Sequence, residues 1–147
     1  MHNRAVSTTL SYTLTLSISA LLITGLLVAG TDYVNDRREQ VVREELTIIG
    51  HQVASDLSRA DRLVRAGQSP TVRMNQTFPD RVSGSSYDVA VENQETLVLT
   101  STEPEVSVTV SLEVKTDLRS GSTADGGVVQ IWYDKGPSPS ELVITDV

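Results

Sequence analysis

The chain has 147 residues, and with about thirty of them in one apolar N-terminal run it leaves room for one small soluble domain and not two. Its 19 acidic residues outnumber 12 basic ones, for a formal net charge of −7, and this excludes the basic patch that nucleic acid or an anionic lipid surface requires. The absence of cysteine excludes both a disulfide framework and a thiolate metal site.

The basic residues are ten Arg and only two Lys, Lys115 and Lys135. Many carboxylates with Arg preferred over Lys fit a protein that works in high salt, where excess carboxylates keep the surface hydrated; an ordinary acidic mesophile protein is the alternative. A surface domain without disulfides is commoner in prokaryotes than among small secreted eukaryotic modules. One Trp, one Phe and four Tyr leave the core to Val, Leu and Ile, which favours β structure.

After a short polar leader, Met1 to Arg4, the stretch Ala5 to Thr31 carries no charged side chain. As a helix it would be roughly 40 Å long, more than a hydrocarbon core of about 30 Å requires. A secretory signal would show a shorter apolar run and then a small-residue cleavage site; Ala29 and Gly30 are the best candidates for one.

The stretch Arg4-Ala5-Val6-Ser7-Thr8-Thr9-Leu10-Ser11 resembles the start of haloarchaeal type IV pilin-like proteins with class III signal peptides. In those the leader ends in a basic residue and a small one, and the apolar segment follows the cut. The resemblance covers the first thirty or so residues. It implies an archaeal membrane protein cut by a prepilin peptidase between Ala5 and Val6, with Arg4, Ala5 and Val6 as the recognised residues.

Within the apolar run Ser7, Ser11, Thr15 and Ser19 recur every four positions near one helix face, and Gly25 and Ala29 continue the small-residue theme. In lipid such a face permits close helix approach and interhelical hydrogen bonds. The alternative is that each hydroxyl bonds back to the i−4 carbonyl of its own helix and the helix stands alone.

Charge enters with Asp32, Asp36, Arg37, Arg38 and Glu39, and Gly30 to Asp32 is where a kink is expected. Val42, Leu46, Ile49, Val53, Leu57, Ala60 and Val64 then follow at spacings of three and four, the pattern of an amphipathic helix. Arg43, Glu44, Glu45, Asp56, Arg59, Asp61, Arg62 and Arg65 are expected to form its solvated face. Gly67-Gln68-Ser69-Pro70 ends the helix, with Gly67 expected as a C′ glycine.

Beyond Pro70 the period becomes two. Val106, Val108, Val110, Leu112 and Val114 alternate with polar residues, as do Tyr87-Val89-Val91 and Val129-Ile131-Tyr133. Leu97 to Leu99 and Leu142 to Ile144 read as shorter strands, and Val72 to Phe78 as a further one, for five or six strands in all. Short loops with no helical pattern between them predict an antiparallel, meander-like sheet. Its apolar face needs a cover, and the stripe from Val42 to Val64 is the only long apolar surface available. The expected fold class is therefore α+β: a long N-terminal helix, membrane-spanning in its first half and amphipathic in its second, packed on a small antiparallel β-sheet. That is also the pilin-like architecture the resemblance implies. The expected division is leader 1–5, transmembrane and assembly helix 6–31, amphipathic helix 32–67 and β domain 70–147.

Candidate chemistry is sparse. His2 and His51 have no HxxxH or HExxH partner, so no metal or other cofactor is expected, and His51 reads as a surface or boundary histidine. Gly84-Ser85-Ser86 lacks the spacing of a nucleophile elbow and reads as a turn. Asp56 and Asp61 are five apart beside Arg59 and Arg62 and read as a solvated ion-pair face, not as paired catalytic carboxylates. Gly126-Gly127 opens a strand and not a helix, so it is no phosphate cradle. No enzymatic constellation results. Asn75-Gln76-Thr77 is an N-glycosylation acceptor triplet if the β domain lies outside the cell.

Two functional readings remain. The first is a pilin-like subunit, more minor or accessory than major, whose partners are membrane lipid, a prepilin peptidase and other pilin-like subunits met through the Ser7, Ser11, Thr15, Ser19 and Gly25 face. The second is an uncleaved single-pass anchor displaying a ligand-binding β domain at the cell surface. Orientation carries a conflict: Arg37, Arg38 and Arg43 follow the apolar run and only Arg4 precedes it, which by the positive-inside rule would place the domain in the cytoplasm. The pilin-like leader and the Ser/Thr-rich β composition favour the outside.

Overall fold

A computed structural model describes residues 3–147 apart from 69 and 137, with side chains from Leu10 onward. The chain divides into two compact units, Met1–Arg37 and Arg38–Val147, and the helix α1 (Asn3–Ala66) contributes to both. The helical assignment passes through Gly30 to Asp32 unbroken.

In the first unit nothing covers the helix: every described side chain from Leu10 to Arg37 is exposed, including Leu14, Ile18, Leu22 and Leu26. An 18-residue window there reaches a mean hydropathy of 2.0, so the helix is long and apolar enough to cross a membrane. A helix apolar on all sides is satisfied only by a surrounding that is itself apolar.

The second unit is an α+β fold in which the amphipathic part of α1 packs on antiparallel-rich sheets. Its strands are β1 (Arg73–Thr77), β2 (Tyr87–Asn93), β3 (Thr96–Thr102), β4 (Glu105–Ser111), β5 (Asp117–Leu118), β6 (Thr123–Asp125), β7 (Val128–Asp134) and β8 (Glu141–Asp146). All six sequence-predicted strands are present. The short β5 and β6 were not foreseen, because two- and three-residue strands have no period to read.

There are two sheets where one was expected, with orders β1-β7-β8-β5 and β4-β3-β2-β6. The meander is right for β2-β3-β4, with register Val89 opposite Leu99 opposite Val108. One pairing departs from the expected antiparallel sheet: β5 runs parallel to β8, with Asp117 opposite Glu141. The crossover that a parallel pair needs is supplied by β6, β7 and their loops. Strand β4 also ends before Leu112 and Val114, although Leu112 stays buried and its N–H reaches the Glu95 carbonyl at 2.7 Å.

The whole predicted stripe is buried. Val42, Leu46, Ile49, Val53, Leu57, Ala60 and Val64 join Val89, Leu97, Leu99, Val129, Ile131 and Leu142 in one core, so α1 covers the inner faces of both sheets. Gly50 allows the closest approach: a Cβ there would lie 2.7 Å from a Val110 methyl and 2.9 Å from one of Leu99. The helix ends after Ala66 as expected, but Gly67 does not take the left-handed conformation of a C′ cap, and the chain turns away against Pro70 instead.

Asp61 corrects the sequence reading. It sits on the buried side of α1, only 4% exposed, instead of on a solvated face. Its Oδ1 accepts hydrogen bonds from the Thr116 N–H at 2.8 Å, the Thr116 hydroxyl at 2.7 Å and the Lys115 N–H at 3.3 Å. Arg65 stands 3.6 Å from Oδ2. These bonds tie the last turns of α1 to the loop before β5. Asp56 is half-buried and accepts from Gln76 of β1 at 3.3 Å.

Candidate functional site

Within the first unit the candidate site is the surface of the helix itself. The Thr15 hydroxyl donates to the Ser11 carbonyl and the Ser19 hydroxyl to the Thr15 carbonyl, both at 2.9 Å. Thr15 and Ser19 therefore satisfy their donors within their own helix, as the lone-helix alternative requires. Back-bonded hydroxyls still leave a narrow surface that a second backbone can approach. Gly25 has nothing within 4 Å of a built Cβ and lies open. The side chains of Arg4, Ala5, Val6 and Ser7 lie outside the described residues, as does His2.

A second hydroxyl set was missed in the sequence. Ser17 donates to the Thr13 carbonyl at 2.8 Å and Thr24 to the Ala20 carbonyl at 2.9 Å. At about 100° per residue, Thr13, Ser17 and Thr24 fall on the side of the helix opposite Ser11, Thr15 and Ser19. Small and hydroxylated residues thus mark two faces. The signal was legible: plotting every Ser and Thr of the run by helical angle, and not only the four evenly spaced ones, separates both sets.

In the second unit the outer face of the β1-β7-β8-β5 sheet carries the densest polar arrangement. Arg119, just after β5, donates to Asp134 at 2.6 Å and stands 3.6 Å from Glu141. Asp134 and Glu141 are cross-strand partners on β7 and β8, so the guanidinium bridges two carboxylates that pairing forces together. The Gly136 N–H and then the Arg119 side chain hold the Asp134 carboxyl below its usual range. All three groups are matched to one another, and the cluster closes the sheet without offering an unpaired group to a substrate.

The remaining polar candidates are structural. Ser85 is buried in the turn expected for it, where its hydroxyl oxygen accepts the Glu103 N–H at 2.8 Å. Gly127 opens β7 with φ +111°, and a Cβ on Gly126 would strike the Tyr87 ring at 2.7 Å, so both glycines serve a tight turn. Tyr87 donates to the Pro79 carbonyl at 2.8 Å, and burial, with Asp80 nearby, pushes its pKa up to about 12. Gln94, which sequence reasoning placed in a turn and no further, exchanges two hydrogen bonds with the Leu118 backbone, at 2.7 and 2.9 Å, and so joins the β2-β3 hairpin to β5. His51 is exposed, in keeping with a surface histidine. Among the described residues no group of three or more His, Cys, Asp or Glu stands close enough to hold a metal ion.

One open groove of about 510 Å³ lies where α1 meets the loop after β1, with Ile48, Gln52, Pro79 and Arg81 on its walls. Asn75 is exposed on β1, and its Oδ1 accepts from Gln130 of β7 at 2.9 Å.

Residues 1–145 match the family model DUF7266, described as a family of unknown function. No curated protein and no solved structure matches the chain.

Proposed function

The chain belongs to the DUF7266 family, which is of unknown function, and we propose that it is a type IV pilin-like subunit, minor or accessory, inserted in the cell membrane with its β domain outside. The observation that carries this reading is the division of labour along α1. Side chains from Leu10 to Arg37 are wholly uncovered, whereas the stripe from Val42 to Val64 is the core of the β domain. A helix built this way needs an apolar environment for its first part and supplies none of its own.

The start of the chain supports the filament reading in particular. Arg4-Ala5-Val6 resembles a prepilin peptidase site, and hydroxyl and small residues on two faces suit a helix with neighbours on more than one side. Assembly would be the function: apolar helices bundle, and the β domains form the outer surface.

A second reading, an uncleaved single-pass anchor displaying a partner-binding β domain, is favoured by one observation: the hydroxyls of Thr15, Ser17, Ser19 and Thr24 are already satisfied within their own helix.

Intact mass and N-terminal sequencing of the membrane-extracted protein separate the two. The pilin-like reading expects Val6 as the first residue and a retained leader when Arg4 and Ala5 are replaced. Met1 retained in cells with active prepilin peptidase overturns it. Single cysteines at Ser11, Thr15 and Ser17 should crosslink copies within the membrane, and monomer at all three positions favours the lone anchor.

A further inference from the structure

The sequence contains four asparagines, Asn3, Asn35, Asn75 and Asn93, and only Asn75 is followed two residues later by Ser or Thr. Asn93 is consumed by the β2-β3 turn, where its Oδ1 accepts the Glu95 N–H at 2.9 Å. Asn75 is placed differently. In a strand, residues two apart share a face, so Asn75 and Thr77 point the same way, and both are exposed. Gln76 between them turns to the opposite face, where it donates to Asp56 of α1 and pins the strand in that register.

The surroundings fit a bulky polar addition. Strand β1 is the outermost strand of its sheet, paired with β7 on one side only. The Gln130 side chain holds the Asn75 carboxamide by its oxygen, which leaves the reactive partner, Nδ2, as the other end of the group. Trp132, the sole tryptophan of the chain, pairs with Arg73 and so lies one diagonal step from Asn75 on the same outer face. An exposed edge strand is a template for unwanted strand addition, and a sugar chain at its centre blocks that approach.

The geometry points to Asn75 as an N-glycosylation site whose glycan shields the open edge of β1 and the half-buried ring of Trp132. The donor class is a sugar linked through C1 to a lipid phosphate. The C1–O bond breaks as C1–Nδ2 forms, the lipid phosphate leaves with the electron pair, and Nδ2 gives up one proton to a base. The inference rests on the reading that the β domain lies outside the cell.

The test uses the protein extracted from its own membranes. Trypsin cuts after Arg73 and Arg81 and releases residues 74–81 with the whole acceptor triplet. That peptide is expected to carry added mass in whole sugar units, lost in Asn75→Gln and Thr77→Ala and kept in Thr77→Ser. Iodide quenching of Trp132 should rise in Asn75→Gln. A native peptide found wholly unmodified overturns the proposal.

Because the chain has no cysteine, a Glu113→Cys variant at an exposed loop position reports topology separately. Labelling by a membrane-impermeant maleimide in intact cells, together with an unmodified peptide, sinks the glycan and leaves the external domain standing. No labelling and no glycan sink both.

Discussion

The two parts of α1 are made of similar residues and live by different rules. From Leu10 to Arg37 the apolar side chains point in every direction and none is covered, whereas from Val42 to Val64 seven of them form one buried stripe and only Ile48 and Leu63 stand exposed outside it. The difference lies in where the polar residues fall, since total apolar content alone does not separate a core helix from a membrane helix. In the second part Arg43, Glu44 and Arg62 are exposed between the apolar positions, and this leaves a single side to bury. The first part has no such dividing line, and it is long and apolar enough to cross a membrane.

The comparison breaks most sharply at leucines. Leu57 is fully buried, and Leu57→Ala should cost about 3 kcal/mol through lost transfer energy and a residual cavity. Leu22, 64% exposed, should give no measurable change in the unfolding of the β domain when replaced by Ala. Denaturant melts of the two variants in the same detergent check the pair. Equal losses would mean that the first part of the helix is also structural to the domain.

Asp61 sharpens the same contrast by breaking its own rule. Periodicity counted it among the charged residues of the solvated face, yet it is the one acid on the buried side. What the sequence could not supply was the partner, because Lys115 and Thr116 are more than fifty positions away and lie in a loop with no period. The helix stripe and the longer strands were readable because burial repeats along them. The second sheet, the parallel β5-β8 pair and the Gln94 clasp were not, because each depends on a contact between distant and irregular segments.

Removing that partner is the second prediction. Asp61→Ala leaves the Thr116 N–H and hydroxyl without their acceptor and should cost about 2 to 3 kcal/mol. Burial alone would raise the Asp61 pKa, but the bonds from Thr116 and Lys115, with the Arg65 charge, outweigh it and hold the carboxyl below its ordinary value. A depressed folded-state pKa means that the unfolded chain takes up the proton first. The Asp61 contribution is therefore complete above its unfolded value of about 4 and fades as pH falls through the lower folded value. The stability gap between wild type and Asp61→Ala should accordingly be constant near neutrality and shrink in acid, as paired melts from pH 7 down to 3 would read.

Glycines extend the comparison to a smaller effect. Gly50→Ala would press a methyl against Val110 and Leu99, which costs about 1 to 3 kcal/mol, while Ala gains nearly 1 kcal/mol in helix propensity. The net loss should be about 1 kcal/mol. Gly25 has no neighbour to strike, so Gly25→Ala should leave the fold untouched. Any fall in membrane crosslinking in Gly25→Ala would then report a neighbouring helix and not a damaged monomer.

The smallest expected effect concerns charge. Asp88 on β2 and Asp125 on β6 are direct cross-strand partners, two like charges on one face. Burial, then the Asp125 charge, raises the Asp88 pKa above its usual value. The folded state thus holds a proton more readily than the unfolded one, and ionised Asp88 is a cost that is present above the folded pKa and disappears as pH falls through it. Asp88→Asn keeps the shape and should stabilise the domain by about 0.5 kcal/mol at neutral pH and low ionic strength. Asp125 is exposed, so salt screens the pair. In molar salt the part of the advantage that comes from the Asp125 charge should vanish, and the part that comes from burial should remain. The high-salt expectation drawn from 19 carboxylates requires such pairs to be screened, and a benefit of Asp88→Asn that survives unchanged from dilute buffer to molar salt would count against it.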